Sequence, residues 1–274
     1  MDIAAEPPQP APSADAPEIA GRRIDWTGRD VLFGLLWFAG LFFGAQILII
    51  PLLVIYGDTS STFYAAAFIS GAGAEVGFAL VAAKFTFRRY GGGWGRLGFG
   101  PIKWSTLGWA AAAFFAALLF SAAYAVVIDL FGWDFLKSTC AEQIPKEVRD
   151  ERALLALASF DVIMFAPICE EIFFRGFVFT GLTKKWGIVA GIIASGVLFA
   201  AAHLLYKSFV PIAGVGMIFA FTYWRSRNIV ATIAAHFAFN SLSIAAIAAG
   251  SCDDTTTSIP AVHAVGAIAA RVLG

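Results

Sequence analysis

Residues 154–182 read LLALASFDVIMFAPICEEIFFRGFVFTGL, an apolar run that carries Glu170, Glu171 and Arg175 near its middle. About 20 apolar residues are enough to cross a lipid bilayer as a helix. On insertion scales, one ionised side chain at the membrane centre costs about 2.5–3.5 kcal/mol, so a charged cluster there must face protein or water. The run therefore predicts a membrane-spanning helix with a polar site inside the membrane.

The composition of the whole chain also indicates a membrane protein. Of the 274 residues, 59% are hydrophobic and 14% are charged, whereas ordinary globular chains have roughly 25% charged residues. So few charges could not cover the surface of a soluble fold. The formal net charge is zero and no basic block is present, so nothing indicates nucleic-acid binding. The lipid bilayer is the expected surrounding.

Seven apolar runs predict an all-α, polytopic bundle of about seven transmembrane helices around a polar intramembrane cavity. The sixth run is short and has Pro211 and Gly214 near its start, so we expect it to be irregular or tilted. The runs lie at roughly 31–56, 62–83, 105–131, 154–182, 187–206, 208–224 and 228–250.

The two ends of the chain differ from this hydrophobic part. Residues 1–30 are polar and rich in proline, which predicts a disordered N-terminal tail. Residues 31–250 form the transmembrane domain with the candidate catalytic residues. Residues 251–274 are expected to be a polar C-terminal tail that is too short and too rich in small residues to be a span.

The distribution of lysine and arginine predicts the orientation. With a cytoplasmic N-terminus, the inside segments hold 12 Lys and Arg residues and the outside segments hold 6. Cytoplasmic loops carry the excess of basic residues. We therefore expect a multi-pass protein of the membrane with its N-terminus in the cytoplasm.

Helical spacing gives the charged residues different roles. Glu171 and Arg175 are four residues apart, so they share a helix face and can form an ion pair. Glu170 lies about 100° further round the helix. It has no partner on its own helix, and a carboxylate in this setting is suited to act as a general base.

Two later runs add polar residues at the same spacing. Phe199 and His203 share one face of the fifth run, and His236 and Asn240 share one face of the seventh. A single intramembrane histidine or Glu–Arg pair is more often a structural contact between helices. Together, however, one carboxylate, two imidazoles and an amide can activate water and stabilise an oxyanion. Glu170, His203 and His236 also have the donor types that zinc takes.

These residues resemble the motifs of the CAAX protease and bacteriocin-processing (CPBP, or Abi) family of intramembrane endopeptidases. The family pattern is EExxxR, then FxxxH, then HxxxN. Here the three motifs read EEIFFR at 170–175, FAAAH at 199–203 and HFAFN at 236–240, in that order. Each lies on a predicted span, and together they cover about residues 154–245.

The resemblance implies peptide-bond hydrolysis by a polarised water inside a water-filled cavity. By position, Glu170 would activate the water with help from His203, and His236 and Asn240 would bind the oxyanion. Glu171 and Arg175 would hold the site together, with Phe199 in a supporting role. The substrate would be a peptide or protein at or in the membrane, and the setting a bacterial plasma (inner) membrane. A bound zinc ion, held by Glu170, His203 and His236, is an alternative that the resemblance leaves open.

Other functions stay open at this level. The chain has no HExxH motif, and Ser195 lies in no GxSxG sequence. Asp129 and Asp161 lie near span ends, which does not suit a paired-aspartate protease. A non-proteolytic scaffold or bacteriocin-immunity-type protein of the same fold is the first alternative. A transporter that uses Glu170 and the histidines as a proton relay is the second. Glu75, without a spaced partner, is expected to be a supporting or packing residue.

Overall fold

The computed structural model describes residues 18–137 and 144–249. In this part of the chain, seven long helices follow the seven apolar runs, and we number them in chain order. The predicted all-α bundle is confirmed. The helices are α1 (Gly28–Tyr56), α2 (Ser61–Phe85), α3 (Trp104–Leu130), α4 (Arg152–Trp186), α5 (Ile188–Ala202), α6 (Phe209–Ser226) and α7 (Ile229–Ala248).

Short elements connect the long helices. Strands β1 (Glu18–Ile19) and β2 (Arg22–Arg23) pair antiparallel before α1, with Glu18 opposite Arg23. Single helical turns make up the other short elements, which are Phe87–Tyr90, Trp94–Leu97, Asp134–Leu136 and Lys146–Asp150.

The predicted count of seven spans is not confirmed. Among the described residues, α1, α2 with the turn that follows it, α3, α4 and α7 are long and apolar enough to cross a membrane. Helix α5 is apolar but has only 15 residues. At about 1.5 Å per residue it is roughly 22 Å long, which is less than the ~30 Å hydrocarbon core of a bilayer.

Local sequence signals explain where several helices begin. Thr27 caps α1 in a capping box with Asp30, and Asn228 accepts a hydrogen bond from the Val230 amide at the start of α7. Helix α6 is regular over its 18 residues, contrary to the expected irregularity. Pro211 lies in its first turn, where the missing amide hydrogen has no helical partner to lose.

Helix α4 changes its winding twice. Two π-helical segments, Asp161–Phe165 and Glu171–Phe179, alternate with α-helical ones. Such π segments are rare and frequently occur at functional sites. The second begins at Glu171, directly after Glu170, so the change in winding coincides with the charged motif.

Aromatic packing holds α4 in the bundle. The Phe38 ring on α1 lies 4.1 Å from that of Phe78 on α2 and 5.0 Å from that of Phe173 on α4, centroid to centroid. On the other side, Phe219 of α6 is fully buried in a cluster with small residues of α3 and α7 such as Ala117 and Ala235. The charged motif of α4 therefore lies in the interior between these two groups.

The N-terminal segment is folded from residue 18 onward, so the predicted tail boundary at residue 30 lies too late in the chain. The physical reason is that this segment contains apolar side chains. Ile24 and Trp26 are fully buried, and the Trp26 indole Nε1 donates to the Phe177 carbonyl at 3.1 Å. Lys184 Nζ donates to the Ile24 carbonyl at 2.9 Å. Residues 1–17 and the predicted C-terminal tail at 251–274 lie outside the described residues.

Candidate active site

The four predicted catalytic residues line one cavity inside the bundle. Its volume is about 310 Å³, and Glu170, His203, His236 and Asn240 all contribute to its wall. Glu170 comes from the middle of α4, His203 from the end of α5, and the other two from α7. Residues from three separate apolar runs therefore meet, as the sequence predicted.

Glu171 and Arg175 form a fully buried ion pair beside this cavity. Arg175 Nη1 lies 2.8 Å from Glu171 Oε1, and both side chains are 0% exposed. Arg175 Nη2 also donates to the Gly216 carbonyl of α6 at 3.2 Å. The pair therefore ties α4 to α6 and leaves Glu170 free to face the cavity.

His236 links the ion pair to the cavity. Its Nδ1 lies 3.1 Å from Glu171 Oε1, and its Nε2 lies 3.9 Å from Glu170 Oε2. Because an ionised carboxylate only accepts hydrogen bonds, Nδ1 carries the proton in this contact. In the neutral ring, the Nε2 lone pair then points toward Glu170.

His203 has a similar arrangement. Its Nδ1 lies 2.8 Å from the carbonyl oxygen of Phe199, which can only accept, so Nδ1 is the donor. Its Nε2 lies 4.0 Å from Glu170 Oε1. Both imidazoles therefore direct an Nε2 atom toward the same carboxylate, at distances too long for a direct hydrogen bond.

Phe199 positions the charged groups around it. Its ring centroid lies 4.8 Å from that of His203 and 5.8 Å from that of His236, and the Arg175 guanidinium carbon lies 4.2 Å from its centroid. A cation over an aromatic face is stabilised by the ring quadrupole. The aromatic residue of the FxxxH motif thus contacts one residue of each of the three motifs.

Asn240 is held by a contact that the sequence does not reveal. Its Nδ2 donates to the Val162 carbonyl at 2.8 Å, within the first π segment of α4. One of its two amide hydrogens is used there, and the second is available to a group in the cavity. A π segment releases carbonyls from the usual helical pairing, which explains why a carbonyl inside α4 can accept this bond.

Glu75 is a cavity residue that spacing alone could not identify. It lies on α2 and contributes to the wall of the cavity with Glu170 and His203. Its Oε2 is buried and has no hydrogen-bond partner among the described residues. The only signal in the sequence is an acid in the middle of an apolar run. The structure therefore places a second carboxyl group next to the candidate general base.

The donor atoms do not have the spacing of a zinc site. Two ligands of a tetrahedral zinc ion, each about 2.05 Å from the metal, lie about 3.4 Å apart. The separations from Glu170 to the two Nε2 atoms are 3.9 and 4.0 Å. Within residues 18–137 and 144–249, no group of three or more His, Cys, Asp and Glu side chains is arranged to hold a metal ion.

The residues that a serine protease or a paired-aspartate protease would use lie outside the cavity wall. Ser195 is buried, and its hydroxyl donates to the Phe174 carbonyl at 3.3 Å. Asp129, at the end of α3, forms an ion pair with Lys137 at 2.9 Å, and the hydrogen bonds that Lys137 donates to Asp134 and Asp129 raise its pKa. Asp161 is buried. None of these three rival residues is part of the cavity wall.

Comparisons with known proteins agree with the motifs. Residues 152–242 match the family model described as Type II CAAX prenyl endopeptidase Rce1-like. The chain is also 31% identical, over 136 residues, to YdiL of Bacillus subtilis (strain 168), a protein provisionally named a membrane peptidase. That alignment covers 50% of this chain and 54% of YdiL, so the chain spans about half the length of this curated relative. No solved structure matches the chain. The matched region contains all three motifs, so residues 152–242 of this chain are similar to a family of CAAX prenyl endopeptidases.

Proposed function

We propose that this protein is an intramembrane endopeptidase that hydrolyses a peptide bond with a water molecule activated by Glu170. One observation carries the proposal. In a cavity within an apolar bundle, the Glu170 carboxylate lies within 4.0 Å of the Nε2 atoms of both His203 and His236. These gaps suit a water that hydrogen-bonds to more than one of the three groups at once.

The catalytic step follows from the proton positions. Glu170 accepts a proton from the water while the water oxygen bonds to the carbonyl carbon of the substrate. His203, with Nδ1 already bound to the Phe199 carbonyl, orients the water through Nε2. When the C–N bond breaks, the proton on Glu170 passes to the leaving amine nitrogen. Positioned acid–base groups of this kind contribute typically 10²–10⁴-fold to rate.

The negative charge on the substrate oxygen needs donors. The free amide hydrogen of Asn240 is one, since the other is bound to Val162. His236 can be the second only when both its ring nitrogens carry protons, because Nδ1 already donates to Glu171. The expected oxyanion role of His236 therefore depends on Glu171.

The substrate class follows from the location of the site. It is a peptide or protein at or in a membrane, because the cavity lies among apolar helices of which several are long enough to cross a bilayer. Whether the substrate carries a prenyl group, as the name of the matched family model suggests, is a question for the same assay. We also propose the plasma membrane, with a cytoplasmic N-terminus, as the location.

A solvent-label experiment tests the activity directly. Purified protein in detergent is incubated with a library of apolar peptides, half of them prenylated, in water enriched in ¹⁸O. We expect new peptide C-termini that carry the label. The isosteric variant Glu170→Gln should lower the cleavage rate by at least about 100-fold, whereas the control Glu147→Gln, in the short helix Lys146–Asp150, should leave it unchanged.

The same variants separate the alternatives. A scaffold or immunity-type protein would give no labelled C-termini with either the wild-type chain or the control. A transporter would instead show proton flux in liposomes that Glu170→Gln abolishes. Full cleavage by folded Glu170→Gln protein would contradict the proposal.

A further inference from the structure

The cavity extends from the catalytic residues toward one end of the bundle. Besides the catalytic residues, its wall includes Ile144 before α4, Leu205 and Ser208 between α5 and α6, and Ile247 near the end of α7. All four lie at the same end of the helices, which we call the cavity face. It comprises the described residues 56–61, 129–137, 144–152 and 203–209 with the end of α7.

The cavity face is a continuous structure. Ile144 and Ile247 belong to one buried cluster with Val148, which joins the ends of α2, α4 and α7. At its edge, the Ser61 hydroxyl donates to the Glu151 carboxylate, which fixes the start of α2 against the segment before α4.

The opposite end of the bundle is closed by the N-terminal segment. We call it the hairpin face and define it as residues 18–30, 84–104, 184–188 and 225–229. Arg22 donates from Nε to the Gly95 carbonyl at 2.7 Å and from Nη1 to the Arg227 carbonyl at 2.7 Å. Asn228 Nδ2 donates to the Pro101 carbonyl at 2.9 Å. These bonds connect residues 18–30, 84–104 and 225–229 to one another. Lys184 connects the remaining segment, 184–188, to the Ile24 carbonyl.

The two faces differ strongly in charge. Among the described residues, the hairpin face holds 12 Lys and Arg residues and 3 acidic ones, whereas the cavity face holds 5 Lys and Arg residues and 6 acidic ones. Short connecting segments rich in Lys and Arg stay on the cytoplasmic side of a membrane. The charge distribution therefore orients the hairpin face toward the cytoplasm.

From the end toward which the cavity wall extends and the charge of the two faces, we infer that the catalytic cavity opens on the non-cytoplasmic side of the membrane. What this inference implies for the substrate rests on the proposed function. The peptide bond to be cut must then be presented from outside the cytoplasm. A protein made in the cytoplasm becomes a substrate only after a translocation or insertion reaction has carried that bond across the membrane.

The short helix α5 explains how the cavity reaches the catalytic residues from that side. It begins at the hairpin face and ends at Ala202, about 22 Å away. The following segment, with Leu204 at φ +54°, is therefore non-helical at membrane depth. Non-helical backbone at that depth is tolerated where it lines a water-filled cavity. His203 is thus placed at the inner end of a path from the cavity face.

Cysteine labelling in intact cells tests the inference. In a chain whose three native cysteines are replaced, Tyr206→Cys and Phe135→Cys place thiols at exposed positions of the cavity face. Ile102→Cys is the matched position on the hairpin face, also exposed and apolar. A maleimide that cannot cross membranes should label the first two in intact cells and Ile102→Cys only after permeabilisation. Leu205→Cys, in the cavity wall, should follow the first two.

Labelling of Ile102→Cys in intact cells would overturn the inference. The absence of label at both Tyr206→Cys and Phe135→Cys before permeabilisation would also overturn it. The experiment does not depend on catalysis. The same labelling pattern is expected in the Glu170→Gln background, so a wrong orientation and a wrong activity give different results.

Discussion

Replacing Arg175 by methionine removes one charge from a fully buried ion pair and keeps much of the side-chain volume. Arg175 and Glu171 are both 0% exposed, with Nη1 and Oε1 2.8 Å apart. The guanidinium also donates to the Gly216 carbonyl and lies over the Phe199 ring. Arg175→Met therefore leaves Glu171 buried with only His236 as a partner.

The expected loss of stability follows from the unpaired charge. Removing one partner of a buried ion pair typically costs about 3–5 kcal/mol, because the remaining charge is uncompensated. Replacing both partners by neutral side chains is much less costly and is often neutral. We therefore expect Arg175→Met to lower the free energy of unfolding by about 3–5 kcal/mol. The double variant Glu171→Gln/Arg175→Met should lose clearly less, since Gln still accepts from His236.

Denaturant unfolding in detergent micelles measures this difference. Tryptophan fluorescence is a suitable signal, because Trp26 is fully buried against α4. A loss below about 1 kcal/mol for Arg175→Met would show that the pair is exposed to water or screened. A double variant less stable than the single one would contradict the proposed cause of the instability.

Three further outcomes are expected. Gly176→Ala should destabilise the protein by about 1–3 kcal/mol, because a Cβ there would lie 2.8 Å from the Leu97 carbonyl oxygen; Gly108→Ala, with open space around it, should be neutral or stabilising in the same unfolding assay. Glu75→Gln should reduce peptide cleavage, but by less than Glu170→Gln, because its carboxyl lines the cavity without contacting the histidines; equal losses in the cleavage assay would contradict that ranking. Cleavage should survive dialysis against a metal chelator, and loss of one zinc per chain together with activity, measured by elemental analysis, would be evidence for the zinc alternative.

Much of the fold was predictable from the sequence because hydropathy follows directly from the lipid environment. The seven apolar runs correspond to the seven long helices of the described residues. The number of helices that cross the membrane was less predictable, because an apolar run does not reveal where a helix stops. The fifth run was predicted to extend to residue 206, but α5 ends at Ala202.

The candidate site was predictable to the level of residues on one helix face. The i+4 spacing indicated the Glu171–Arg175 pair and separated Glu170 from it. Contacts between helices carry no such signal, so the bonds of Asn240 to Val162 and of His236 to Glu171 were not predicted. The folding of residues 18–30 was also missed, because their proline-rich neighbours obscured two buried side chains, Ile24 and Trp26.

Comparison of membrane peptides from cells tests the central claim most directly. Cells that express the wild-type chain and cells that express Glu170→Gln, at equal protein levels, are compared by mass spectrometry of peptide termini. We predict a set of new C-termini within or next to apolar segments that occurs only with the wild-type chain. Identical termini in both cell types, with both proteins folded in the membrane, would contradict the claim that Glu170 activates water for peptide hydrolysis.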